Sequence, residues 1–307
     1  MNDAVLSQSE IAIAKGSKSF AAAAKIFDRK TRSGAVMLYA WCRHCDDVID
    51  GQTLGHSQTE DFAEGQRARL ETLKQQTVLA LAGKSVTDPN FEALRRVVER
   101  HNIPSRNIHE LLAGFEMDVN GRHYETIEET LEYCYGVAGV VGVMMAMIMG
   151  ARDPKVIDRA SDLGIAFQLT NIARDVIDDA RVGRVYIPSD ILQRHGVATI
   201  AADDRTQWLK LHAAALELVD LAEGYYESAL IGVGALPFRS AWAIAAARRV
   251  YGDIGKKLRA DGPDAWEKRV STTRVRKLVL LGFAFFDAVL SRFRFRQQSR
   301  DGLWQRP

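Results

Sequence analysis

Cysteine is scarce in this chain of 307 residues, and its scarcity argues against one class of protein. Only Cys42, Cys45 and Cys134 are present, and an odd number of cysteines inside apolar helical patterns does not indicate a disulfide framework. Cys42 and Cys45 form one Cys-x-x-Cys pattern, for which helix packing is favoured over a zinc or redox role because no second pair accompanies it. We therefore expect a protein of the reducing cytoplasm.

An excess of charge of one sign is absent as well. The 41 Lys and Arg residues nearly balance the 39 Asp and Glu residues, and a net charge of +2 gives no indication of nucleic-acid binding. The N-terminus lacks the basic and then apolar pattern of a signal peptide, so secretion is not expected.

One uncharged stretch, residues 133–150, raises the question of a membrane span. Its strictly apolar part is shorter than the roughly 20 residues that cross a bilayer. Gly136, Gly139 and Gly142 would let helices approach closely, and the methionines would form a pliable apolar wall. The stretch therefore predicts a buried core helix that also forms one side of a hydrocarbon tunnel.

Proline is rare, and the seven prolines fall where helical periodicity breaks. Most long segments between them repeat apolar residues with a period near 3.6, and no alternating strand pattern competes. No Gly/Ser-rich linker divides the chain, so a single domain over residues 1–307 is expected. We predict an all-α protein with helices at roughly 3–14, 29–51, 58–82, 88–101, 105–121, 127–150, 155–182, 198–232, 236–260 and 273–296.

The stretch from residue 164 to residue 188 carries the strongest chemical signal. Four polar residues three or four positions apart share one face of an otherwise apolar helix: Gln168, Asn171, Asp175 and Asp179. Two carboxylates about 4 Å apart repel by roughly 4 kcal/mol at an effective dielectric constant near 20, so a partly buried row requires a cation or protons. Oxygen ligands favour a hard ion, Mg2+ or Mn2+. We expect Gly183 to end this helix in a left-handed cap and residues 184–188 to form a non-helical flap.

A second acidic helix is predicted between Tyr39 and Asp50. Arg43, Asp46 and Asp50 fall on one stripe, with Asp47 at its edge. A single Asp-x-x-x-Asp pattern is typical of a solvated helix face, whereas two such rows, each beside an arginine and within apolar helix, indicate a common role. Mg2+ usually keeps few protein ligands and is shared with substrate phosphates. The two rows therefore indicate a diphosphate clamp.

With two further motifs, these rows resemble the squalene/phytoene synthase family, and among its members the bacterial enzymes that make phytoene. The matching pieces run over most of the chain: Gly-Ser17-Lys-Ser19-Phe20, Tyr39-Ala-x-Cys-Arg43-x-x-Asp46-Asp47-x-x-Asp50, Tyr135-x-Val-Ala-Gly-Val-Val-Gly, and Gln168-Leu-Thr-Asn171-Ile-x-Arg174-Asp175-Val-x-Asp-Asp179. The resemblance implies an isoprenoid-synthase fold, a single-domain helical bundle around a central cavity. It also implies head-to-head condensation of two geranylgeranyl diphosphates, through prephytoene diphosphate, to phytoene, the first committed step of C40 carotenoid biosynthesis.

The resemblance also implies roles for individual residues. It assigns a Mg2+ or Mn2+ cofactor to five side chains: Asp46, Asp50, Asn171, Asp175 and Asp179. It assigns catalysis to the four aspartates among them and to Arg43. It assigns substrate binding to Ser17, Ser19, Phe20, Ala24, Tyr39, Arg43, Gln168, Arg174, Tyr251 and Arg269. Hydroxyl residues such as Ser17 and Ser19 are also typical helix caps, and the spacing before Arg269 departs by about one residue from the family pattern.

Ala24 bears on substrate length. Family members that use C15 substrates often carry a bulky aromatic residue at the matching position, so Ala24 is expected to face the tunnel and leave room for a C20 chain. Helix propensity and close packing are the ordinary explanation for the alanines at 21–24. Asp118, on another predicted helix, either supports the metal site from behind or is an exposed carboxylate.

Three other functions remain open. A C30 relative that makes dehydrosqualene or squalene would carry the same acidic rows. A head-to-tail prenyltransferase or terpene cyclase shares the fold but lacks the Gln-Leu-Thr-Asn-Ile-x-Arg-Asp signature. A non-catalytic helical assembly factor would lack intact acidic motifs, and both are complete here.

The last predicted helix, from Arg274 to Arg296, is basic and rich in aromatic residues, and Arg300 and Trp304 continue the pattern. Either it packs on the body with its arginines outside, or its basic side contacts an anionic membrane. The second interpretation predicts a cytoplasmic protein that is peripheral on the inner face of the cytoplasmic membrane, where other carotenoid-pathway enzymes would be its partners.

Overall fold

The computed structural model describes residues 3–51, 64–294 and 299–307, without the side chains of Lys18, Ser19 and Arg294. These residues form helices joined by short turns, and the described ranges contain no β-strand. Besides the α-helices there are one π-helical turn (Tyr135–Gly139) and two 3-10 turns (Arg205–Gln207 and Gly262–Glu267). The α-helices in chain order are α1 (Ala4–Gly16), α2 (Lys18–Ala24), α3 (Arg29–Asp50), α4 (Gln66–Leu81), α5 (Pro89–His101), α6 (Ser105–Val119), α7 (Ile127–Cys134), α8 (Val140–Ile148), α9 (Pro154–Arg181), α10 (Ser189–Arg194), α11 (Trp208–Val233), α12 (Phe238–Asp261) and α13 (Arg274–Arg294).

The ends of α3 and α9, the two helices that carry the acidic rows, are determined by residues next to them in the sequence. The carboxylate of Asp28 caps α3 by accepting hydrogen bonds from two backbone amides, at 2.9 and 3.0 Å. Helix α9 starts at Pro154 behind the cap residue Asp153. The chain leaves α3 through Gly51 and α9 through Gly183, both in the left-handed conformation, with φ of 61° and 76°. The predicted glycine at the end of α9 is thus confirmed.

Helix α9 lies at the centre of the molecule and packs against α8, α11 and α12. A Cβ atom at Gly164 of α9 would lie 2.2 Å from the carbonyl oxygen of Ala138, so the absence of a side chain lets α9 approach the π turn closely. The apolar core on both sides of α9 includes the fully buried side chains Trp41, Phe91, Leu94, Leu111, Leu169 and Tyr225.

The uncharged stretch forms the end of α7, the π turn and α8. The segment Ile127–Ile148 is long and apolar enough to cross a membrane by length and composition, but 61% of its 18-residue apolar stretch is buried inside the protein. The prediction of a buried core helix is therefore confirmed. The five-residue π turn inside it has no counterpart in the predicted continuous helix.

Several boundaries differ from the predicted ones. The helix expected from residue 198 begins at Trp208, because residues 198–204 form turns and Asp204 caps a 3-10 turn by accepting a hydrogen bond from the amide of Thr206. Periodicity does not predict α2 and α10, which are only seven and six residues long. Residues 58–63 and 295–296, at the ends of two predicted helices, lie outside the described ranges.

The C-terminal segment also departs from expectation. Helix α13 packs on α12 with Arg274, Arg276 and Arg292 exposed, so the interpretation with its arginines outside is confirmed, but large apolar side chains of α13 unexpectedly face outward as well. Arg300 does not continue an outward pattern, because its guanidinium donates to the fully buried carboxylate of Asp162 on α9 (Nη2–Oδ1 2.6 Å). The ring of Trp304 lies against Tyr135, with centroids 5.4 Å apart. The segment 299–307 is therefore part of the folded body.

Candidate active site

An elongated apolar cavity of about 350 Å³ lies between α3 and α9, within the size range of small-molecule sites. Helices α6, α8, α11 and α12 form most of the remaining wall, together with parts of α2, α7 and the π turn. Along α9 the lining runs from Asn171 to Val156, fifteen residues, which corresponds to about 22 Å of helix. Beyond Asn171 the acidic row of α9 continues away from the apolar part. The cavity therefore has a polar mouth and a long hydrocarbon interior.

On α9, the two aspartates of the row have opposite electrostatic environments. Burial acts to raise the pKa of Asp175, but hydrogen bonds from Arg174 (Nε–Oδ1 2.7 Å) and Arg269 (Nη2–Oδ2 3.1 Å) hold it below its ordinary value. Burial and the charge of Asp175 raise the pKa of Asp179 to about 8. One carboxylate is therefore neutralised by arginines, whereas the other holds a proton near neutral pH unless a cation replaces it.

On α3, Arg43 orders the second row. Its Nη1 lies 3.0 Å from Asp46 Oδ2, and its Nε donates to Asp47 Oδ1 at 2.9 Å. Burial, with the charges of neighbouring aspartates, raises the pKa of Asp46 to about 7 against the opposing effect of Arg43. Asp50 accepts a hydrogen bond of 2.5 Å from Arg184, which belongs to the flap after α9. The flap that follows α9 is therefore hydrogen-bonded to α3.

A carboxylate from a third helix completes this mouth. Asp118 of α6 accepts hydrogen bonds from the hydroxyls of Tyr133 (3.0 Å) and Tyr186 (2.9 Å), whose rings stack with centroids 4.7 Å apart. Burial raises the pKa of Asp118 to about 6, and the nearby Asp50 adds to the effect. Asp118 is therefore a partly buried neighbour of the acidic rows and not an exposed carboxylate. Sequence reasoning did not assign Tyr133 or Arg184 a role, and the only signal was the position of Arg184 in the predicted flap.

Most of the predicted substrate residues are brought together. Five of them line the cavity: Phe20, Tyr39, Arg43, Gln168 and Tyr251. The rings of Phe20 and Tyr39 are 6.0 Å apart, and Tyr251 lies 4.2 Å from Phe167, measured between centroids. Arg174 and Arg269 reach the site through Asp175, so the odd spacing before Arg269 does not displace it.

The predicted residues near the N-terminus fit less well. Ser17 Oγ accepts a hydrogen bond from the amide of Phe20 at 3.3 Å, which confirms the helix-cap interpretation, and Ser17 is not part of the cavity wall. The side chain of Ser19 lies outside the described part of the chain. The expectation that Ala24 faces the tunnel is wrong. Its side chain is 4% exposed and belongs to a buried cluster with Met149 and Leu236, which do line the cavity, so Ala24 packs behind the wall.

The donor atoms at the mouth fit a hard divalent cation. Asp46, Asp50, Asp175 and Asp179 supply carboxylate oxygens, and the amide oxygen of Asn171 is buried and accepts no hydrogen bond within the described structure. Burial and neighbouring carboxylates raise the pKa values of Asp46 and Asp179, an effect that a bound cation would oppose. Among the described residues, no three acidic, His or Cys side chains gather into a ready metal site. Instead, Asp50 accepts a hydrogen bond from Arg184, and Asp175 accepts hydrogen bonds from Arg174 and Arg269.

Comparison with known proteins agrees with this geometry. Residues 13–276 match the family model described as squalene/phytoene synthase. The chain is 51% identical over 307 residues to the 15-cis-phytoene synthase of Paracoccus sp. strain N81106, covering 100% of this chain and 99% of the relative. It is 48% identical over 308 residues to the 15-cis-phytoene synthase of Pantoea ananas, with coverage of 100% and 99%.

Solved structures share the fold. A ligand-bound dehydrosqualene synthase superposes with a TM-score of 0.78 at 28% identity, covering 91% of this chain and 95% of the other. A squalene synthase from Alicyclobacillus acidocaldarius superposes with a TM-score of 0.73 at 22% identity, covering 84% and 94%. The expected all-α isoprenoid-synthase fold is confirmed.

Proposed function

This chain belongs to the squalene/phytoene synthase family, and from that premise we propose that it is a prenyltransferase that joins two geranylgeranyl diphosphates head to head. The product is phytoene, formed through prephytoene diphosphate, and the reaction is the first committed step of C40 carotenoid biosynthesis. The observation that carries the proposal is the long apolar cavity beneath two acidic helices in a chain half identical to two 15-cis-phytoene synthases.

The polar mouth suits the diphosphate groups. Mg2+ or Mn2+ would be held by Asp46, Asp50, Asn171, Asp175 and Asp179. When bound, such an ion neutralises the departing diphosphate and so favours ionisation of the allylic C–O bond. Arg43, Arg174 and Arg269 supply fixed positive charge beside the same oxygens. Because Arg174 and Arg269 also pair with Asp175, they are held in position before substrate arrives.

The apolar interior suits the hydrocarbon chains and the cations that ionisation leaves. Walls such as Phe167, Met145 and Leu163 exclude water, which would otherwise convert an allylic cation to an alcohol. Each of the two steps, the condensation to prephytoene diphosphate and its rearrangement to phytoene, releases one diphosphate and one proton. The proton can pass to the departing diphosphate or to a hydroxyl at the mouth, such as that of Tyr39 or Tyr251. Since both steps end in proton loss, the overall reaction requires no external reductant.

The proposal is tested by the size of the product. Purified protein is incubated with Mn2+ and radiolabelled farnesyl or geranylgeranyl diphosphate, and the hydrocarbons are separated by chromatography. We expect a C40 hydrocarbon from the C20 substrate, none after addition of EDTA, and none from the Asp175→Asn variant. A product formed from one substrate molecule would overturn the assignment in favour of a cyclase, and a folded protein without product would indicate an assembly factor.

A C30 synthase is the second candidate, favoured by the structural similarity to a dehydrosqualene synthase. The same experiment separates the two functions. If kcat/KM for farnesyl diphosphate exceeds that for geranylgeranyl diphosphate, the C30 assignment replaces the C40 one. We further propose a cytoplasmic protein that is peripheral on the inner membrane face, near other enzymes of the carotenoid pathway.

A further inference from the structure

Exposed large apolar side chains are concentrated on the outer side of α13. Of the thirteen large hydrophobic side chains exposed in the described residues, nine lie on α13 and the other four are scattered over α1, α4, α11 and residue 182. Spacings of three, four and seven residues or their sums place them on one face, here called the α13 face: Val275, Leu278, Val279, Phe286, Leu290 and Phe293 are examples. Leu278 is 69% exposed and Phe293 is 79% exposed. A concentrated face of this kind marks an interaction site.

The attachment of α13 to the body explains why this face points outward. The buried side of α13 is built mainly of small residues, such as Ala284 and Ala288, which pack closely on α12. Two ion pairs secure it, from Arg249 to Asp287 (2.5 Å) and from Arg276 to Asp253 (2.9 Å). An ordinary surface helix turns its large apolar side chains inward. Here the polar contacts face the body, and the large apolar side chains remain outside.

A second, smaller cavity of about 130 Å³ opens beside the α13 face. It lies between α2, α12 and α13, and its wall includes the exposed Ala22 and the exposed Leu278. Phe20, Ala247 and Tyr251 line both this side cavity and the main cavity. One layer of side chains therefore separates the substrate cavity from an apolar opening at the α13 face.

The charges around the α13 face identify the surface that would cover it. Helix α13 contains one acidic residue, Asp287, and that residue is paired with Arg249. Arg274 and Arg292 are exposed along one edge of the apolar face. A broad apolar face with basic residues at its edge complements a bilayer that contains anionic lipid.

We propose that the α13 face docks into an anionic bilayer and that the side cavity is the exit through which the C40 hydrocarbon passes into that bilayer. Phe20 and Tyr251 form the partition that must move to let it pass. The exit rests on the proposed function, because only a product without polar groups needs an apolar route. Release of such a chain into water is strongly unfavourable, whereas the lipid beside Leu278 has the same polarity as the cavity it leaves.

Docking is tested by sedimentation with vesicles of phosphatidylcholine and phosphatidylglycerol. The test variant is Phe286→Glu/Leu290→Glu, and the matched control is Leu209→Glu, because Leu209 is 69% exposed on α11 and away from the α13 face. We expect the control to bind like the wild type and the test variant to bind at least tenfold more weakly. Equal binding of the two variants would overturn docking. A wild-type dimer that the test variant dissociates in sedimentation velocity would assign the face to a second copy of the chain instead.

The exit is tested by placing a bulky side chain at its mouth. Ala22→Trp narrows the side cavity without touching the main one, Leu278→Trp narrows it from the opposite side, and Ala14→Trp on α1 is the control. With substrate supplied on anionic vesicles, we expect the first two variants to form one product per protein in a burst and then turn over at least tenfold more slowly than the control. Steady-state rates equal to the control would overturn the exit. A wild type that forms no product would overturn the proposed function and the exit with it, while the docking result would stand.

Discussion

At the scale of single residues, identical side chains in one row have opposite environments. Asp175 is held ionised by Arg174 and Arg269, and its pKa is lowered, whereas Asp179 lacks such direct pairs in the described structure and its pKa rises to about 8. The proposed function assigns both to the same cation. Their contributions to catalysis should therefore agree, while their contributions to stability should differ in sign.

We expect both Asp175→Asn and Asp179→Asn to lower kcat at least a hundredfold, because each removes a ligand for the metal. In metal-free buffer at pH 8, Asp175→Asn should lose about 1–3 kcal/mol of unfolding free energy, since it leaves a buried arginine without its carboxylate. Asp179→Asn should be as stable as the wild type or more so, because repulsion from Asp175 is relieved. Urea denaturation measures both variants, and equal destabilisation would contradict this account.

The pH dependence of stability follows from the same carboxylates. Asp118 and Asp179 have folded-state pKa values of about 6 and about 8, above the values expected in the unfolded chain. The folded protein then binds more protons than the unfolded one between about pH 4 and pH 8, so their contribution to stability falls as pH rises through this window.

We therefore expect the urea midpoint of the protein in EDTA to be higher at pH 6 than at pH 8. In the Asp179→Asn variant the urea midpoint should fall less between pH 6 and pH 8, because the carboxyl group that titrates near pH 8 has been removed. Saturating Mn2+ should oppose the decrease, since the ion binds the ionised carboxylates. Identical pH profiles for the wild type and the variant would show that Asp179 does not titrate in this range.

At the scale of helices, close approach is decided by individual glycines. Gly164 of α9 faces the backbone of Ala138 in the π turn. A side chain at residue 164 would therefore fit only if α9 and the π turn moved apart. Gly282 of α13 is also helical, but a Cβ atom there would meet no atom within 4 Å. The two glycines therefore have opposite consequences for packing.

Gly164→Ala should lower the unfolding free energy by roughly 1–3 kcal/mol, because the added methyl group overlaps the Ala138 carbonyl oxygen, 2.2 Å away. Gly282→Ala should raise it by about 0.5–1 kcal/mol, because alanine lowers the entropy of the unfolded chain at no steric cost. Chemical denaturation of the two variants provides the measurement. A neutral Gly164→Ala would mean that α9 and the π turn can separate freely.

At the scale of the whole molecule, the C-terminal segment is bonded to α9 and α11 behind the wall of the cavity. Asp162 is fully buried and is bonded both by Arg300 and by Ser228 Oγ, at 2.6 and 2.5 Å. Ser228 Oγ in turn accepts from Arg159, which lines the cavity, at 3.0 Å. A chain of polar contacts thus links the C-terminal segment to Arg159 in the wall of the cavity.

Arg300→Met should cost about 3–5 kcal/mol of unfolding free energy, because it removes the cation that is hydrogen-bonded to the buried Asp162 carboxylate. Arg306→Met is the matched control, since its partner Asp158 is 32% exposed, and we expect a loss below about 1 kcal/mol. The double variant Arg300→Met/Asp162→Asn should recover part of the loss. Thermal and urea unfolding provide the comparison, and equal effects of the two single variants would refute a special role for the buried pair.

The sequence by itself determined the features that depend on neighbours along the chain. Helical period, caps and prolines set most helix boundaries, and three- and four-residue spacing placed each acidic row on one helix face. The resemblance of the motifs to one family supplied the fold and the reaction, both of which concern many residues at once. The left-handed glycine after α9 was predictable for the same reason, because a cap is a local structure.

The tertiary structure alone decided what depends on residues distant in sequence. It brought Asp118, Tyr133 and Arg184 from separate segments to the acidic rows, and no local pattern marks such a meeting. It placed Ala24 behind the cavity wall, because helix propensity describes an alanine but not the surface against which it packs. It also turned the apolar side of α13 outward, since an amphipathic pattern has two faces and only the partners Asp253 and Arg249 determine which one is buried.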